Sequence, residues 1–508
     1  MKAIAHDKTL LTLAVAGLAT TLAACAVGPD FKTPEATKGE RYTAEVLPDK
    51  TAATPVAGGE AQTLKSGAQL PAQWWQLFGS ELISKRIEQA FAHSPSLAAA
   101  QAALRQAQEN AKAANGGYWP SVDLKGQASR QKVNTAASGA GAGANSYIYN
   151  LYGASVGVSY TFDLFGGVRR SVEAQRAQAD YQRFQYEGAY LTLASNVVTA
   201  SVREASLQTQ VAATEDIIKA LEEQQRITEK QYELGAVALT DVLSTRTQVE
   251  ATRATLPALR QQLAETRNQL AIYLGQMPAE QDDATLDLGA LTLPQEIPLS
   301  LPSQLAQQRP DIRAAEAQLH QASANVGVAT ANLFPSLTIS GSYGAQATSG
   351  NLFDASNEIW NIAGGLTAPI FHGGELQARK RAAVAAYDEA FANYKQTVLQ
   401  AFANVADSLH ALDNDAQALQ SRYTAQQSAD QNLDLVQQSY RAGAVGYLNV
   451  LDAQRQQQEA KINFITAQAA RYSDTAALFQ ALGGGWWNRD GQGDAAATAA
   501  ATTAAATP

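Results

Sequence analysis

Residues 148–163 read IYNLYGASVGVSYTFD, in which apolar side chains alternate with small or polar ones. The apolar face is formed by Ile148, Tyr152, Ala154, Val156, Val158, Tyr160 and Phe162. Three more segments show this alternation, at 120–129, 336–343 and 360–370. Segments of about ten residues with one apolar and one small or polar face are typical of outer-membrane barrel strands. A soluble sheet with one solvated face has the same alternation, so the pattern alone leaves both open.

Four such strands are too few to close a barrel, because about eight is the minimum. If the strands span a membrane, an oligomer must therefore supply the others. Aromatic side chains cluster at the segment ends, as in the interface girdles of such barrels. They are Tyr118, Trp119, Tyr160, Phe162, Phe334, Trp360 and Phe371.

Long helices are predicted beyond the strands. From 168 to about 233 there is no proline, and Gly188 is the only internal glycine. Apolar residues recur in 3–4 alternation from Tyr190 to Leu221, and again from Val398 to Tyr423. A 3.5-residue period sustained over several heptads favours a coiled coil. An ordinary four-helix bundle is the alternative.

The chain contains an internal duplication. Residues 95–126 align with 310–341 at a constant offset of 215. Residues 232–243, YELGAVALTDVL, align with 440–451, YRAGAVGYLNVL, at an offset of 208, with six of twelve positions identical. Each half is therefore predicted to contain a helix, two strands, a long helix, a tip loop and a helix.

The N-terminus has the features of an export signal. Lys2 and Lys8 precede an apolar run that ends in Leu-Ala-Ala-Cys25, and Cys25 is the only cysteine of the chain. The run is too short to span a bilayer, which needs ~20 residues. The motif is similar to a bacterial lipobox and predicts a covalent lipid on Cys25. The alternative is an ordinary signal cleavage that leaves a free thiol.

Composition excludes other classes of protein. The 38 basic and 47 acidic residues give a net charge of −9, which argues against nucleic-acid binding. The five histidines are scattered and one cysteine cannot form a multi-cysteine metal site, so no metal or cofactor is expected. No G-x-S-x-G motif or P-loop occurs, so we predict that the chain is not an enzyme.

Several motifs together resemble the TolC/OprM family of outer-membrane efflux lipoproteins, and within it the NodT-like subfamily of resistance–nodulation–division systems. They are the lipobox followed by Val27-Gly-Pro-Asp-Phe31, Trp74-Trp-Gln-Leu-Phe78, Asp163-Leu-Phe-Gly166, Arg309-Pro-Asp-Ile312, Gly235-x₅-Asp241-Val-Leu and Gly443-x₅-Asn449-Val-Leu. The resemblance covers residues 25–487.

The resemblance implies a mainly α-helical chain with a transmembrane β-barrel. Three chains would form a 12-stranded barrel, four strands each, on a long coiled-coil α-barrel. Such a homotrimer is a passive exit duct, anchored in outer-membrane lipid and extending into the periplasm. It conducts drugs or other small molecules from a periplasmic adaptor protein and an inner-membrane efflux pump.

The resemblance also assigns roles at the two tip loops. The periplasmic gate would comprise Thr240, Asp241, Tyr440, Asn449 and Asp452. The adaptor would dock on Gly235, Ala236, Val237, Leu239, Gly443, Ala444, Val445 and Tyr447. Val445 replaces an arginine of the family's prototype and Asn449 replaces an aspartate, so the salt bridge that locks that tip is not expected. Asp241 can alternatively cap the following helix, and Asp452 can interact with its own helix dipole.

The predicted organisation has six parts. They are a signal peptide at 1–24, a lipid-anchored N-terminal and equatorial segment at 25–75, repeat 1 at 76–276, an extended equatorial linker at 277–302, repeat 2 at 303–487 and a disordered Ala/Thr-rich tail at 488–508. Two other readings of the chain remain at this point: a periplasmic adaptor, and a structural coiled-coil lipoprotein without a pore.

Overall fold

The computed structural model describes residues 26–35, 41–134, 146–280 and 284–489. Cys25 and the predicted signal peptide lie outside the described residues, as does most of the predicted tail. The beginning of that tail is ordered, contrary to the prediction. Asn488 donates a hydrogen bond to the Leu70 carbonyl at 2.7 Å, and Arg489 pairs with Glu187 at 2.8 Å.

The described part of the chain is mainly helical. Its helices are α1 (Glu81–His93), α2 (Pro95–Asn115), α3 (Gly167–Glu233), α4 (Leu239–Leu274), α5 (Pro302–Gln308), α6 (Pro310–Ala331), α7 (Glu375–Arg441) and α8 (Tyr447–Ala481). Its strands are β1 (Thr63–Ser66), β2 (Ser121–Asn134), β3 (Ser146–Phe162), β4 (Glu296–Leu299), β5 (Ser336–Ala347) and β6 (Glu358–Thr367). None of the described helices is long and apolar enough to cross a membrane.

Both long helices are continuous over 67 residues, which confirms the helix predicted from 168 to about 233. The predicted seams are buried or half-buried along α3 and α7, with Val197, Val405 and Leu419 fully buried. Glu204 lies in the α3 seam and is also buried. It is neutralised there by Arg86 at 2.9 Å and Arg267 at 3.0 Å.

The chain divides into two compact units. Of the described residues, the first comprises those within 26–33, 105–181 and 315–394, and it contains the larger sheet. The second comprises those within 34–104, 182–314 and 395–489.

The larger sheet is antiparallel, with the strand order β2-β3-β5-β6. Its strands lie where the alternation predicted them, but β2 continues to Asn134, beyond the predicted end at 129. The sequence pattern ended early because Arg130 and Lys132 interrupt the apolar face, although the backbone pairing with β3 continues. Ile370 and Phe371 lie beyond the end of β6.

The register gathers the apolar residues into rows across all four strands. One row consists of Leu124, Val156, Tyr343 and Trp360, which are 81%, 44%, 61% and 70% exposed. On the opposite face the next row consists of Asp123, Gly157, Ser342 and Asn361. The sheet therefore has one apolar face, exposed to the surroundings of the single chain, and one small or polar face.

The second unit contains a hydrophobic core around an aromatic cluster. Trp74 and Phe78 are buried, and both contact Phe479, with ring centroids 5.6 and 6.3 Å apart. Tyr472 completes the cluster and donates a hydrogen bond to the Leu291 carbonyl at 3.0 Å.

The segment 277–302, predicted as an extended linker, carries structure of its own. It contains β4, which pairs in parallel with β1, and two short 3₁₀ helices at Pro278–Glu280 and Leu288–Ala290. Parallel pairing joins parts of the chain that are more than 200 residues apart, and local sequence patterns do not reveal such a partner.

A buried charged group lies beside this core. Arg471 is 1% exposed, and its guanidinium donates to the Leu412 carbonyl at 2.8 Å and to the Glu60 carbonyl at 3.2 Å. The pKa of Asp415 is raised to about 7, first by burial and then by the hydrogen bond and negative charge of Asp474, while the charge of Arg471 acts in the opposite direction.

We expect the stability of the protein to depend on the proton of Asp415. Because its folded-state pKa of about 7 lies above the ordinary value of ~3.9, the folded state binds the proton more tightly. Stability should therefore fall as the pH rises from about 4 through about 7. Asp415→Asn should flatten this fall and unfold at a higher temperature than the wild type at pH 8.

Thermal unfolding of the detergent-solubilised protein at pH 5 and pH 8 measures this effect. Asp413→Asn is the control, since Asp413 accepts a hydrogen bond from Gln417 at 2.9 Å on the exposed side of the helix. An identical pH dependence in the wild type and in Asp415→Asn would contradict the prediction.

Candidate functional site at the ends of the helical hairpins

The two hairpins α3–α4 and α7–α8 turn in the same way. Gly235 has φ +71° and Gly443 has φ +75°, a left-handed conformation that only glycine adopts without cost. The amide of Gly235 donates to the Tyr232 carbonyl at 2.9 Å, and the amide of Gly443 donates to the Tyr440 carbonyl at 2.9 Å. Each helix therefore ends in a glycine turn that satisfies its last carbonyls.

The returning helices begin differently. Asp241 is the third residue of α4, not its N-cap, and its carboxylate accepts a hydrogen bond from the Ala238 amide at 3.3 Å. Asn449 occupies the same place in α8. The backbone amides of Asp241 and Asn449 both donate to the carbonyl of their N-cap residue, at 3.0 and 3.1 Å, but in the described structure the Asn449 side chain makes no bond like that of the Asp241 carboxylate. The negative charge at the start of α4 is also favoured by the helix dipole.

Tyr447 joins the two hairpins. Its side chain is 4% exposed, and its ring lies 5.4 Å from the ring of Tyr440. Burial raises the pKa of the Tyr447 hydroxyl, while the neighbouring hydroxyls of Thr245 and Thr228 act in the opposite direction. Both threonines donate to carbonyls of their own helices, and in the described part of the chain the Tyr447 hydroxyl lacks a well-aligned partner. Tyr447, predicted as a docking residue, is therefore not accessible to a partner in this structure.

The predicted gate residues lie around this junction. Tyr440 is half-buried near Asp241, and its pKa is raised by burial first and then by the negative charge of Asp241. Thr240 and Asn449 are exposed. Among the described residues, neither Tyr440 nor Thr240 makes a side-chain hydrogen bond within the single chain, so any tip-closing bond from them must reach another molecule.

Asp452 has partners within its own helix. Arg455 donates to one carboxylate oxygen at 2.9 Å, and Gln456 donates to the other at 2.7 Å. Asp452 and Arg455 are three residues apart, a spacing that places both side chains on one face of α8.

The remaining tip residues form an exposed surface, with Gly235, Ala236, Leu239, Gly443 and Ala444 exposed and Val237 and Val445 half-exposed. The sequence interpretation missed three other exposed leucines beside them: Leu234 at 77%, Leu243 at 52% and Leu448 at 69%. In both repeats apolar residues lie next to the glycine turn, and this sequence pattern indicates an exposed apolar surface at the tip. Within the described ranges, no group of three potential metal-ligating side chains occurs.

Comparison with known proteins agrees with this architecture. The model of the family described as "Outer membrane efflux protein" matches residues 86–276 and 301–484. The chain belongs to the outer membrane efflux protein family. It is thus an outer-membrane exit duct for efflux, from a family of channels and not of enzymes.

Two relatives show how far the similarity extends. The probable efflux pump outer membrane protein TtgC of Pseudomonas putida is 30% identical over 488 residues, which cover 96% of this chain and 97% of TtgC. The pyoverdine export outer membrane protein OpmQ of Pseudomonas aeruginosa is 32% identical over 421 residues, covering 82% of this chain and 87% of OpmQ.

Solved structures share the fold of this efflux protein. The outer-membrane channel OprN superposes with a TM-score of 0.80 at 27% identity, over 91% of this chain and 100% of that one. The CmeC outer membrane channel of Campylobacter jejuni superposes with a TM-score of 0.81 at 21% identity, over 93% of this chain and 98% of that one.

The hydrogen bond between Asp241 and Ala238 leads to a local prediction. Asp241→Ala removes both the hydrogen bond to the first turn of α4 and a charge that favours the helix dipole. A loss of about 0.5–1 kcal/mol is expected at such a position. Amide hydrogen exchange should therefore accelerate a few-fold in the first turn of α4.

Thr240→Ala is the matched control, because the neighbouring exposed Thr240 makes no such bond in the described structure. Exchange that is equally fast in Asp241→Ala and Thr240→Ala would contradict the capping role of Asp241.

Proposed function

We propose that three copies of the chain close a 12-stranded barrel in the outer membrane, four strands from each, above a coiled-coil α-barrel. The exposed apolar face of the sheet is the observation that carries this proposal. Exposed apolar surfaces of this extent usually mark membrane or protein contacts. The outer strands β2 and β6 each leave one edge unpaired within the described chain, and lipid does not tolerate open sheet edges. Pairing β2 of one copy with β6 of the next satisfies both edges.

The small and polar face of the sheet then lines the water-filled interior, as in other outer-membrane barrels. On β3, β5 and β6 this face carries mostly serine, threonine and glycine, and β2 adds Asp123, Lys125 and Gln127. The two charges are of opposite sign, which suits a passage without strong selectivity. The names of relatives mention toluene, antibiotics, pyoverdine and cations as exported compounds. Such different cargoes on one architecture support a passive duct for small molecules, with selection made by the inner-membrane pump.

The hairpin ends are proposed to receive a periplasmic adaptor protein. Leu234, Leu239 and Leu448 are exposed there on both hairpins, and exposed leucines beside small residues suit packing by the helices of a partner. The adaptor would connect the duct to the inner-membrane pump. The two repeats provide similar but not identical docking ends, since Asp241 in the first corresponds to Asn449 in the second.

A covalent lipid on Cys25 is proposed to anchor the chain as well. The lipobox supports this modification, and one relative is named the probable outer membrane lipoprotein SilC of Salmonella typhimurium. An acyl chain contributes ~0.8 kcal/mol of membrane binding for each buried CH₂.

The gate is proposed to be formed by Thr240, Asp241, Tyr440, Asn449 and Asp452 of three copies. In a trimer, rings of carboxylates at a narrow opening attract cations. Asp452 is offset by Arg455 in its own helix, whereas Asp241 makes no ion pair in the described part of the chain. The charge of Asp241 should therefore dominate.

Planar-bilayer recording of the purified protein tests both the duct and its gate. We expect a particle with the mass of three chains, single-channel conductance and a preference for cations. Asp241→Asn should lower that preference several-fold. The double variant Asp452→Asn/Arg455→Gln should change it little, because the ion pair that it removes has no net charge. A monomeric particle without conductance would contradict the duct, and loss of cation preference in this double variant would contradict the role of Arg455.

A further inference from the structure

The first described residues, 26–33, form a strap that is fixed to the first unit. The Val27 amide donates to the Phe165 carbonyl at 3.1 Å. The buried guanidinium of Arg170 donates to Asp30 at 2.6 Å and to the Val27 carbonyl at 3.4 Å. Arg170 therefore fixes the strap against α3 through both a side chain and the backbone of the strap.

Two close contacts hold the strap on α6. Gly28 has φ +98°, and a Cβ atom at this position would lie 2.5 Å from the Cα of Gly327, while a Cβ atom on Gly327 would lie 2.7 Å from the Cγ of Arg170. Neither glycine can therefore be replaced without a shift. Three residues later, the ring of Phe31 stacks on His320 with centroids 4.4 Å apart. The strap therefore has a defined position up to its first residue.

That first residue, Ala26, lies at the junction of β3 and α3. A Cβ atom on Gly166 would be 2.8 Å from the Cβ of Ala26. Only one peptide unit, about 3.8 Å between Cα atoms, separates Ala26 from Cys25. A lipid on Cys25 would therefore be attached one residue away from the contact between Ala26 and Gly166.

An open groove begins at this same junction. Its volume is about 520 Å³, within the ~300–1,000 Å³ of clefts that enclose small ligands. Most of its wall is apolar, including Phe162, Leu164, Phe165, Phe334, Pro335 and Leu376. The rings of Phe165 and Phe334 are stacked at 4.6 Å.

We propose that this groove is a seat for one acyl chain of the lipid on Cys25. The occupant is covalently attached one residue before the strap, and the strap delivers it to an apolar groove of suitable size. The lipid would then be part of the packing at the base of the sheet, and not only a tether in the bilayer. This inference rests on the proposed lipidation of Cys25 but not on the conductance of the duct.

A photoreactive fatty acid tests the proposal in the full-length protein. Cells that express the chain are fed a diazirine analogue of palmitate, irradiated, and the purified protein is digested and analysed by mass spectrometry. We expect the acyl chain on Cys25 to cross-link to peptides that contain Phe334 or Leu376. Leu376→Asp places a charge in the groove and should lower this cross-link several-fold, whereas Val384→Asp, outside the groove on the same helix, should not.

The wild-type cross-link keeps the test decisive even if Leu376→Asp fails to assemble. An acylated Cys25 that cross-links only to phospholipid, or a groove that is labelled only by phospholipid, would overturn the seat. Trimers assembled from isotopically light and heavy chains show whether a cross-link joins two copies. A cross-link from Cys25 of one copy to the groove of a neighbouring copy would also overturn the proposal. A Cys25 without an acyl group, in a protein that still conducts, would overturn both the anchor and the seat but leave the duct standing.

Discussion

The exposed apolar face of the four-stranded sheet is the constraint on which the rest of the structure depends. Apolar rows such as Leu124, Val156, Tyr343 and Trp360 are unfavourable in water, at about 25 cal/mol per Å² of apolar surface. Lipid removes this cost but provides no hydrogen bonds for the free edges of β2 and β6. In the proposed trimer, insertion of the sheet into the membrane therefore also requires that other copies pair with its free edges.

The duplication meets this requirement while allowing the two halves to differ. Both repeats provide two strands, a 67-residue helix, a glycine turn and a returning helix. At the tip they diverge, since Asp241 binds the first turn of α4 while the corresponding Asn449 has no such bond, and Tyr447 is buried between the hairpins. The proposed gate would thus combine charged and neutral positions without a change of fold.

Much of this fold was predictable because its determinants are local. Side-chain alternation gave the strands and their two faces, and the absence of proline gave the long helix that follows β3. Contacts between distant parts of the chain were not predictable: the pairing of β1 with β4, the burial of Arg471 and the strap on Arg170. At the tip, the repeated glycine motif indicated where the two hairpins turn. It did not indicate the burial of Tyr447 or the pairing of Asp452 with Arg455.

Two adjacent residues of the central strand β3 test the central claim most directly. Val158 belongs to the apolar face and Ser159 to the small and polar face. Arginine on the lipid side of a barrel costs ~2–4 kcal/mol near the middle of the membrane, whereas changes on the lumen side alter selectivity. We predict that Val158→Arg sharply lowers the amount of trimer in isolated outer membranes, and that Ser159→Arg still assembles. Equal assembly of both variants would contradict a lipid-facing apolar face.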